Sequence, residues 1–238
     1  MRLATICARA GSKRLPGKNT RMLPNGLTLL DHTLWYAQIS QCFDDIVLST
    51  DITNARMYER GGIIVVDRPP ELASDEAGKV PAIRHAMLAA EYSRGCTFDQ
   101  IVDLDVTAPL RNLDDIRGFC AKLDSMEHGN LVSVCKARRS PYFNQVEWSH
   151  SYLGYATPRD STGYMRTQDV PEVFDLNASM YGWTRDALLN GGDHVISRTT
   201  QLYEMPRARS WDIDDEFDLE IVEFLMSKQR EIVVGTAT

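Results

Sequence analysis

Short runs of apolar, mostly β-branched residues recur along the chain, each followed by a stretch whose apolar positions fall three and four apart. The runs at 3–8, 46–49, 63–66, 101–104 and 131–135 are nearly continuous in apolar character, as expected of strands buried on both faces. Between them, Leu30, Leu34 and Ala37 repeat at helical spacing over 28–41, and Val80, Ile83, Met87 and Ala90 mark one face of a helix over 79–92. Ser74 and Asp75 read as start signals for that second helix, and a third, over 112–126, is entered through Asn112, Asp114 and Asp115. Strand, helix, strand, repeated, predicts an α/β fold with a mostly parallel sheet and helices on both faces.

The alternation stops near residue 140. Residues 140–176 carry Pro141, Gly154, Pro158, Gly163 and Pro171 among short alternating pieces, which predicts a β-rich excursion from a single domain spanning 1–238. The pattern resumes at about 177 with a strand through Asn177 and Tyr181, a helix near 184–190, a strand near 201–206 and a final helix over 215–229. In that last helix Phe217, Ile221 and Phe224 fall on one stripe, the expected core face.

The chain has 238 residues, 43% hydrophobic and 25% charged, enough for one large domain with a real core. No apolar run approaches the roughly 18 residues of a membrane span, and basic residues follow Ile6 and Cys7 too soon for a signal-peptide core. Five cysteines, widely spaced and without a CxxC, argue against a disulfide framework or a zinc ribbon and point to a reducing cytoplasm. A net charge of −7 argues against a general nucleic-acid binder. That average conceals two blocks: residues 1–21 hold six basic groups and no acid, and residues 212–220 hold six acids and no base.

The basic block contains Ala8, Arg9, Ala10, Gly11, Ser12, Lys13, Arg14, Leu15, Pro16, Gly17, Lys18 and Asn19, directly after the first strand. In an open α/β sheet this first strand-to-helix loop is the usual phosphate cradle. Glycines let backbone N–H groups approach an anion, and arginine and lysine neutralise it. The Walker spacing fails, because five residues separate Gly11 from Gly17 and Asn19 follows Lys18, and GxGxxG is absent. The alternative is a solvated basic loop, but its place in the fold favours phosphate.

In the acidic block, Asp212 and Asp214 share a face if the segment is extended. Two hard oxygen ligands with open positions suit Mg2+; helix capping is the competing role, and it accounts for Asp215 and Glu216. Asp103 and Asp105 form a second pair at the end of the strand at 101–104, and Asp105 is a candidate for contact with a nucleotide or a metal.

Five ordered segments, ARAGSKRLPGKN (8–19), RPPELASD (68–75), DVTAPLRNLDDI (105–116), RTQDVPEVFDLNASMY (166–181) and DIDDEFDLEIVE (212–223), resemble the CMP-sialic acid synthetases, the acylneuraminate cytidylyltransferases, and among them the enzymes for legionaminic acid. The resemblance implies a Rossmann-like, three-layer nucleotidyltransferase fold and a cytoplasmic homodimer whose 140–176 excursion completes the partner's sugar site. It implies CTP and an acidic nine-carbon sugar as substrates, coupled by attack of the sugar hydroxyl on the α-phosphate, with Mg2+ on Asp212 and Asp214. Arg9 and Lys18 then act in catalysis with the two aspartates; Ala8, Ala10, Gly11, Ser12, Lys13, Asn19, Arg68, Asp75 and Asp105 bind nucleotide. Arg166 is the candidate for the sugar carboxylate, with Gln168, Asn177 and Tyr181 beside it. Arg111, Lys136, Arg138 and Arg139 are further basic groups for which a solvated face is the alternative.

Two positions depart from the sialic acid pattern. Asp105 stands where Gln is common, and Ser140, Pro141, Tyr142 and Phe143 stand where His-Pro-x-Lys is common. Tyr142 and Phe143 make a less polar sugar pocket, which suits the deoxy terminus and extra acyl-amino groups of a legionaminate-like substrate. The alternatives are another sugar or cofactor nucleotidyltransferase, such as a CMP-Kdo type, and a non-catalytic nucleotide-binding protein of the same fold.

Overall fold

The computed structural model describes residues 1–74, 76–148, 156–158 and 163–235. In chain order the elements are β1 (Arg2–Ala8), α1 (Leu29–Ser40), β2 (Asp45–Thr50), β3 (Ile64–Asp67), α2 (Pro70–Ala73), α3 (Lys79–Arg94), β4 (Gln100–Leu104), α4 (Leu113–Asp124), β5 (Asn130–Lys136), β6 (Val146–Trp148), β7 (Ala156–Pro158), β8 (Phe174–Thr184), α5 (Arg185–Asn190), β9 (Thr200–Glu204) and α6 (Glu216–Gly235). The first five strands fall where the apolar runs predict them. Two helices open on complete capping boxes, Thr28 with Asp31 and Asn112 with Asp115, each satisfying otherwise orphaned backbone donors.

Seven strands form one sheet in the order β3-β2-β1-β4-β8-β5-β9. β1 pairs in parallel with both β2 and β4. The chain steps outward from β1 to β2 and β3, then returns to the other side of β1 as β4. The crevice between the carboxyl ends of β1 and β4 is therefore the topological switch point, where open α/β sheets bind ligands. Ile6, Leu34, Phe119 and Val222 belong to the core on one face of the sheet, and Leu3, Val80, Ile83 and Trp183 to the core on the other. This is the expected three-layer arrangement.

β8 runs antiparallel between β4 and β5, an insertion that apolar periodicity does not reveal. It begins at Phe174, so residues 174–176 belong to the main sheet and not to the excursion. Within the excursion, β6 and β7 pair as a separate antiparallel ribbon. β8 is broken by a bulge opposite Ser133, where Ala178 takes φ +50°. Asn177 holds that bulge: its Oδ1 accepts from Ser133 Oγ at 2.6 Å and from the Ser179 amide at 3.3 Å.

Two helix expectations are corrected. α3 starts at Lys79 with Gly78 as its flanking residue, because 70–73 form a separate turn and Ser74 closes it; Asp75 lies outside the described residues. Among the described residues of α6 the buried positions are Leu219 and Val222, whereas Phe217 and Phe224 are 67% and 59% exposed. Both stripes have helical spacing; Leu219 and Val222 join the buried Ile213 in one core cluster.

Candidate active site

The loop after β1 is pre-formed. Leu15 is buried in the core and anchors it. Asn19 Nδ2 donates to the Arg9 carbonyl at 2.8 Å, stapling the loop's two ends, and the Leu15 amide donates to Ser12 Oγ at 3.4 Å. Gly17 takes φ +67° ahead of the 3-10 turn Lys18–Thr20, a left-handed conformation that favours glycine. The loop forms one wall of a cavity of about 510 Å3 at the switch point, with Arg9, Gly11, Ser12, Lys13, Lys18 and Asn19 lining it. Arg68 reaches the same cavity from the end of β3 and donates to the Ser49 carbonyl at 3.2 Å. Ala8 and Ala10 are not among the lining residues: the Ala8 methyl is in the core, and the Ala10 amide donates to Asp51 Oδ1 at 2.6 Å.

The acidic segment meets this wall. Ile213 is buried in the core, and Asp212 and Asp214 on either side of it are half-buried and close enough for the charge of Asp214 to act on Asp212; neither is among the residues lining the loop cavity. The Ile213 amide donates to the Thr107 carbonyl at 2.9 Å, and the Ile213 carbonyl accepts from Lys18 Nζ at 2.7 Å. Asp214 faces two loop cations, Arg14 at 2.9 Å and Lys18 at 3.8 Å. Capping of α6 falls to Asp215, whose Oδ1 accepts from the Asp218 amide at 3.1 Å, while Glu216 pairs with Arg21 at 2.9 Å. Asp214 is thus released from capping. Asp212 differs: its Oδ1 is buried with no hydrogen-bond partner, and burial, aided by Asp105 and Asp214 and opposed by Thr107 and Lys18, pushes its carboxyl up to about 6.

Asp105 lines the cavity, and its environment contains a residue that motif and charge reading passed over. Lys79, the first residue of α3, pairs with Asp105 Oδ2 and lies 3.1 Å from Asp103 Oδ2. Its ammonium stands 4.5 Å from the centroid of the Tyr181 ring. Burial works against that charge, but Asp103 and Asp105 hold Lys79 well above the usual lysine range. Burial likewise opposes the Asp105 carboxylate, and Lys79 and Thr107 overcome it, drawing Asp105 down to about 2. A lysine at a helix start ordinarily reads as a solvated cation; only the folded chain, which sets the start of α3 against Asp103 and Asp105, gives it partners. Arg111, considered above for a solvated face, is instead buried, donating to the Ala108 and Ser179 carbonyls at 3.2 and 3.1 Å.

The sugar-side candidates are scattered within one chain. Tyr181 is buried beside the Lys79 cluster. Asn177 is also buried, with its Nδ2 on Ser210 Oγ at 2.9 Å and its Oδ1 in the β8 bulge. Arg166 is exposed and pairs with Asp169 at 2.7 Å, and Gln168 is exposed nearby. Tyr142 lines a separate depression of about 550 Å3 with Arg139 and Phe174; its ring meets that of Tyr164 edge-on at 6.1 Å. Phe143 is exposed beside it. None of Tyr142, Phe143, Arg166 and Gln168 lines the loop cavity.

The donor set fits a hard divalent cation. A buried carboxylate oxygen without a partner, on Asp212, lies next to Asp214 and close enough to Asp105 to feel its charge. Among the described residues no cluster of three or more His, Cys, Asp or Glu is arranged to hold an ion alone. A site completed by substrate phosphate oxygens has that character.

Residues 3–111 match the Cytidylyltransferase family model. The chain is 38% identical over 229 residues to post-translational flagellin modification protein B of Campylobacter coli, covering 95% of each. It is 37% identical to a CMP-N,N'-diacetyllegionaminic acid synthase of Campylobacter jejuni, covering 94% of each. A solved CMP:2-keto-3-deoxy-manno-octonic acid synthetase complexed with CTP shares the fold, with a TM-score of 0.67 at 17% identity over 96% of this chain and 99% of that one. With its cationic loop and acidic segment at the switch point, this chain belongs to the cytidylyltransferase family.

Proposed function

We propose that the chain couples CTP to an acidic nine-carbon sugar of the legionaminate type, giving the CMP-sugar and pyrophosphate. The observation that carries this reading is the meeting of two opposite charges at one cavity edge: the loop cations Arg14 and Lys18 on the Asp214 segment. A triphosphate needs the first set, and a metal bridging it needs the second. The legionaminate assignment draws support from the name of the Campylobacter jejuni relative and from the aromatic Tyr142 and Phe143.

Nucleotidyl transfer asks for alignment and charge neutralisation more than covalent help. Arg9, Lys13 and Lys18 clamp the triphosphate, and the stapled loop presents its backbone to it. The anomeric hydroxyl attacks the α-phosphorus, and the bond to the β-phosphate oxygen breaks as pyrophosphate leaves. Asp212 and Asp214 would hold Mg2+, which supplies charge neutralisation and makes the attacking hydroxyl more acidic. Asp105 lies on the nucleotide side, and Asp75 belongs to the same assignment. Arg166 and Gln168 take the sugar carboxylate, with Asn177 and Tyr181 shaping the wall behind it.

Because Tyr142, Phe143, Arg166 and Gln168 are away from the loop cavity, the sugar site is assigned to two copies of the chain, the excursion of one completing the site of the other. Sedimentation at working concentration should give a dimer; a single monomeric species contradicts this. Incubation with CTP, Mg2+ and a panel of nonulosonic acids should release pyrophosphate fastest with legionaminate. Faster turnover of N-acetylneuraminate would overturn the sugar assignment, and silence across the panel with CTP binding intact would point to a binding protein.

A further inference from the structure

We propose that Lys79 is a positioning residue for the transfer, holding the turn from Asp105 to Thr107 and, through it, the segment that carries Asp212 and Asp214. The proposal rests on the cytidylyl-transfer reading and adds to it a residue of the cavity wall whose ammonium is engaged by two carboxylates.

Lys79 stands where stability alone does not favour a cation. It is the first residue of a 16-residue helix, at the end where the aligned peptide dipoles already place positive charge. Its burial among carboxylates does not account for it either, since buried ion pairs roughly break even against apolar replacements. What distinguishes the position is its connections. The ammonium has three N–H groups, and around it lie Asp103, Asp105 and the face of Tyr181. Lys79 lines the loop cavity, but its ammonium is held on these protein groups, and the role assigned to it is exerted through Asp105; direct contact with the triphosphate is the competing role, which a raised KM for CTP would reveal.

From Asp105 the contacts continue without a gap. Asp105 Oδ1 accepts from the Thr107 amide at 3.0 Å and the Thr107 hydroxyl at 2.9 Å, closing a tight turn. The Asp105 amide donates to the Ser179 carbonyl at 3.1 Å, tying that turn to the bulged strand β8. The Thr107 carbonyl then receives the Ile213 amide at 2.9 Å, and the Ile213 carbonyl receives Lys18 at 2.7 Å. One line of contacts therefore runs from the start of α3 to the phosphate loop, and the two aspartates flank its last link. Removing the ammonium leaves Asp103 and Asp105 facing each other without a cation between them. The turn then loses the contact that fixes its first residue, and Ile213 loses a fixed acceptor.

Lys79→Met and Lys79→Arg test this with two readouts. In Lys79→Met, kcat should fall by about 10–100-fold, as for loss of a supporting partner of active-site ligands, with KM for CTP within about threefold. Amide hydrogen exchange at Ile213 should speed up in the same variant. Lys79→Arg, which keeps the charge, should recover most of both. Unchanged kcat, a loss expressed only as a raised KM for CTP, or a kcat loss with Ile213 exchange unchanged would each overturn the proposal. If Lys79→Met does not fold, Lys79→Gln is read in the same way. If neither folds, Lys79 is a stability element and the proposal falls. Should the unaltered chain release no pyrophosphate, the reaction assignment fails by itself, and the exchange comparison, which needs no substrate, still decides the role of Lys79.

Discussion

A carboxylate oxygen buried without a partner is costly, and Asp212 carries one. Burial pushes this carboxyl up from the ordinary 3.8 to about 6, so the folded state binds its proton more tightly than the unfolded one. The stability linked to that proton is present at low pH and is lost as pH rises through about 6. Without divalent ions, Asp212→Asn should therefore be more stable than the unaltered protein at pH 7, by up to about 3 kcal/mol, and the gain should shrink towards pH 4. Thermal melts at the two pH values check this, and equal melts at pH 7 would contradict it. The closeness of Asp212 and Asp214 was legible in the sequence, because one intervening residue keeps two carboxylates within reach of each other's charge. Lys79 was not legible, because its meaning depends on Asp103 and Asp105, more than twenty residues away in sequence.

Among the elements, β8 carries a local conflict. Ala178 sits at φ +50° in its bulge, a conformation that costs a residue with a β-carbon about 1 kcal/mol. Ala178→Gly should accordingly stabilise the chain by about 1 kcal/mol less the entropy that glycine gives back in the unfolded state. Urea melts check this, and a clear loss would show that the methyl group packs more tightly than its backbone is strained. Bulges next to sites re-aim side chains; this one turns Asn177 inward onto Ser133 and Ser210 and supplies the carbonyl that anchors Asp105. The motif through Asn177 and Tyr181 was visible in the sequence, but the bulge was not, since periodicity reports only which residues alternate. The face of α6 was misread for a related reason. Its two apolar stripes share a helical spacing, and the packing of Leu219 and Val222 with Ile213 distinguishes them only in the folded chain.

For the whole molecule, the class of fold was readable because strands buried on both faces leave continuous apolar runs, and β1 to β5 all do. The place of β8 between β4 and β5 was not readable, since strand order is settled by pairing partners and not by composition. The net charge of −7 acquires a meaning only with that order in hand. A basic block at one end of the chain and an acidic block near the other meet at the carboxyl edge of β1 and β4, where Lys18 touches Ile213 and Arg14 touches Asp214. Movement of a cytidylyl group at this edge can be followed by phosphorus NMR of the full chain with CTP, Mg2+ and legionaminate. The CTP signals should give way to one phosphodiester resonance and an equal amount of pyrophosphate. CTP that stays intact while bound to the protein would contradict it.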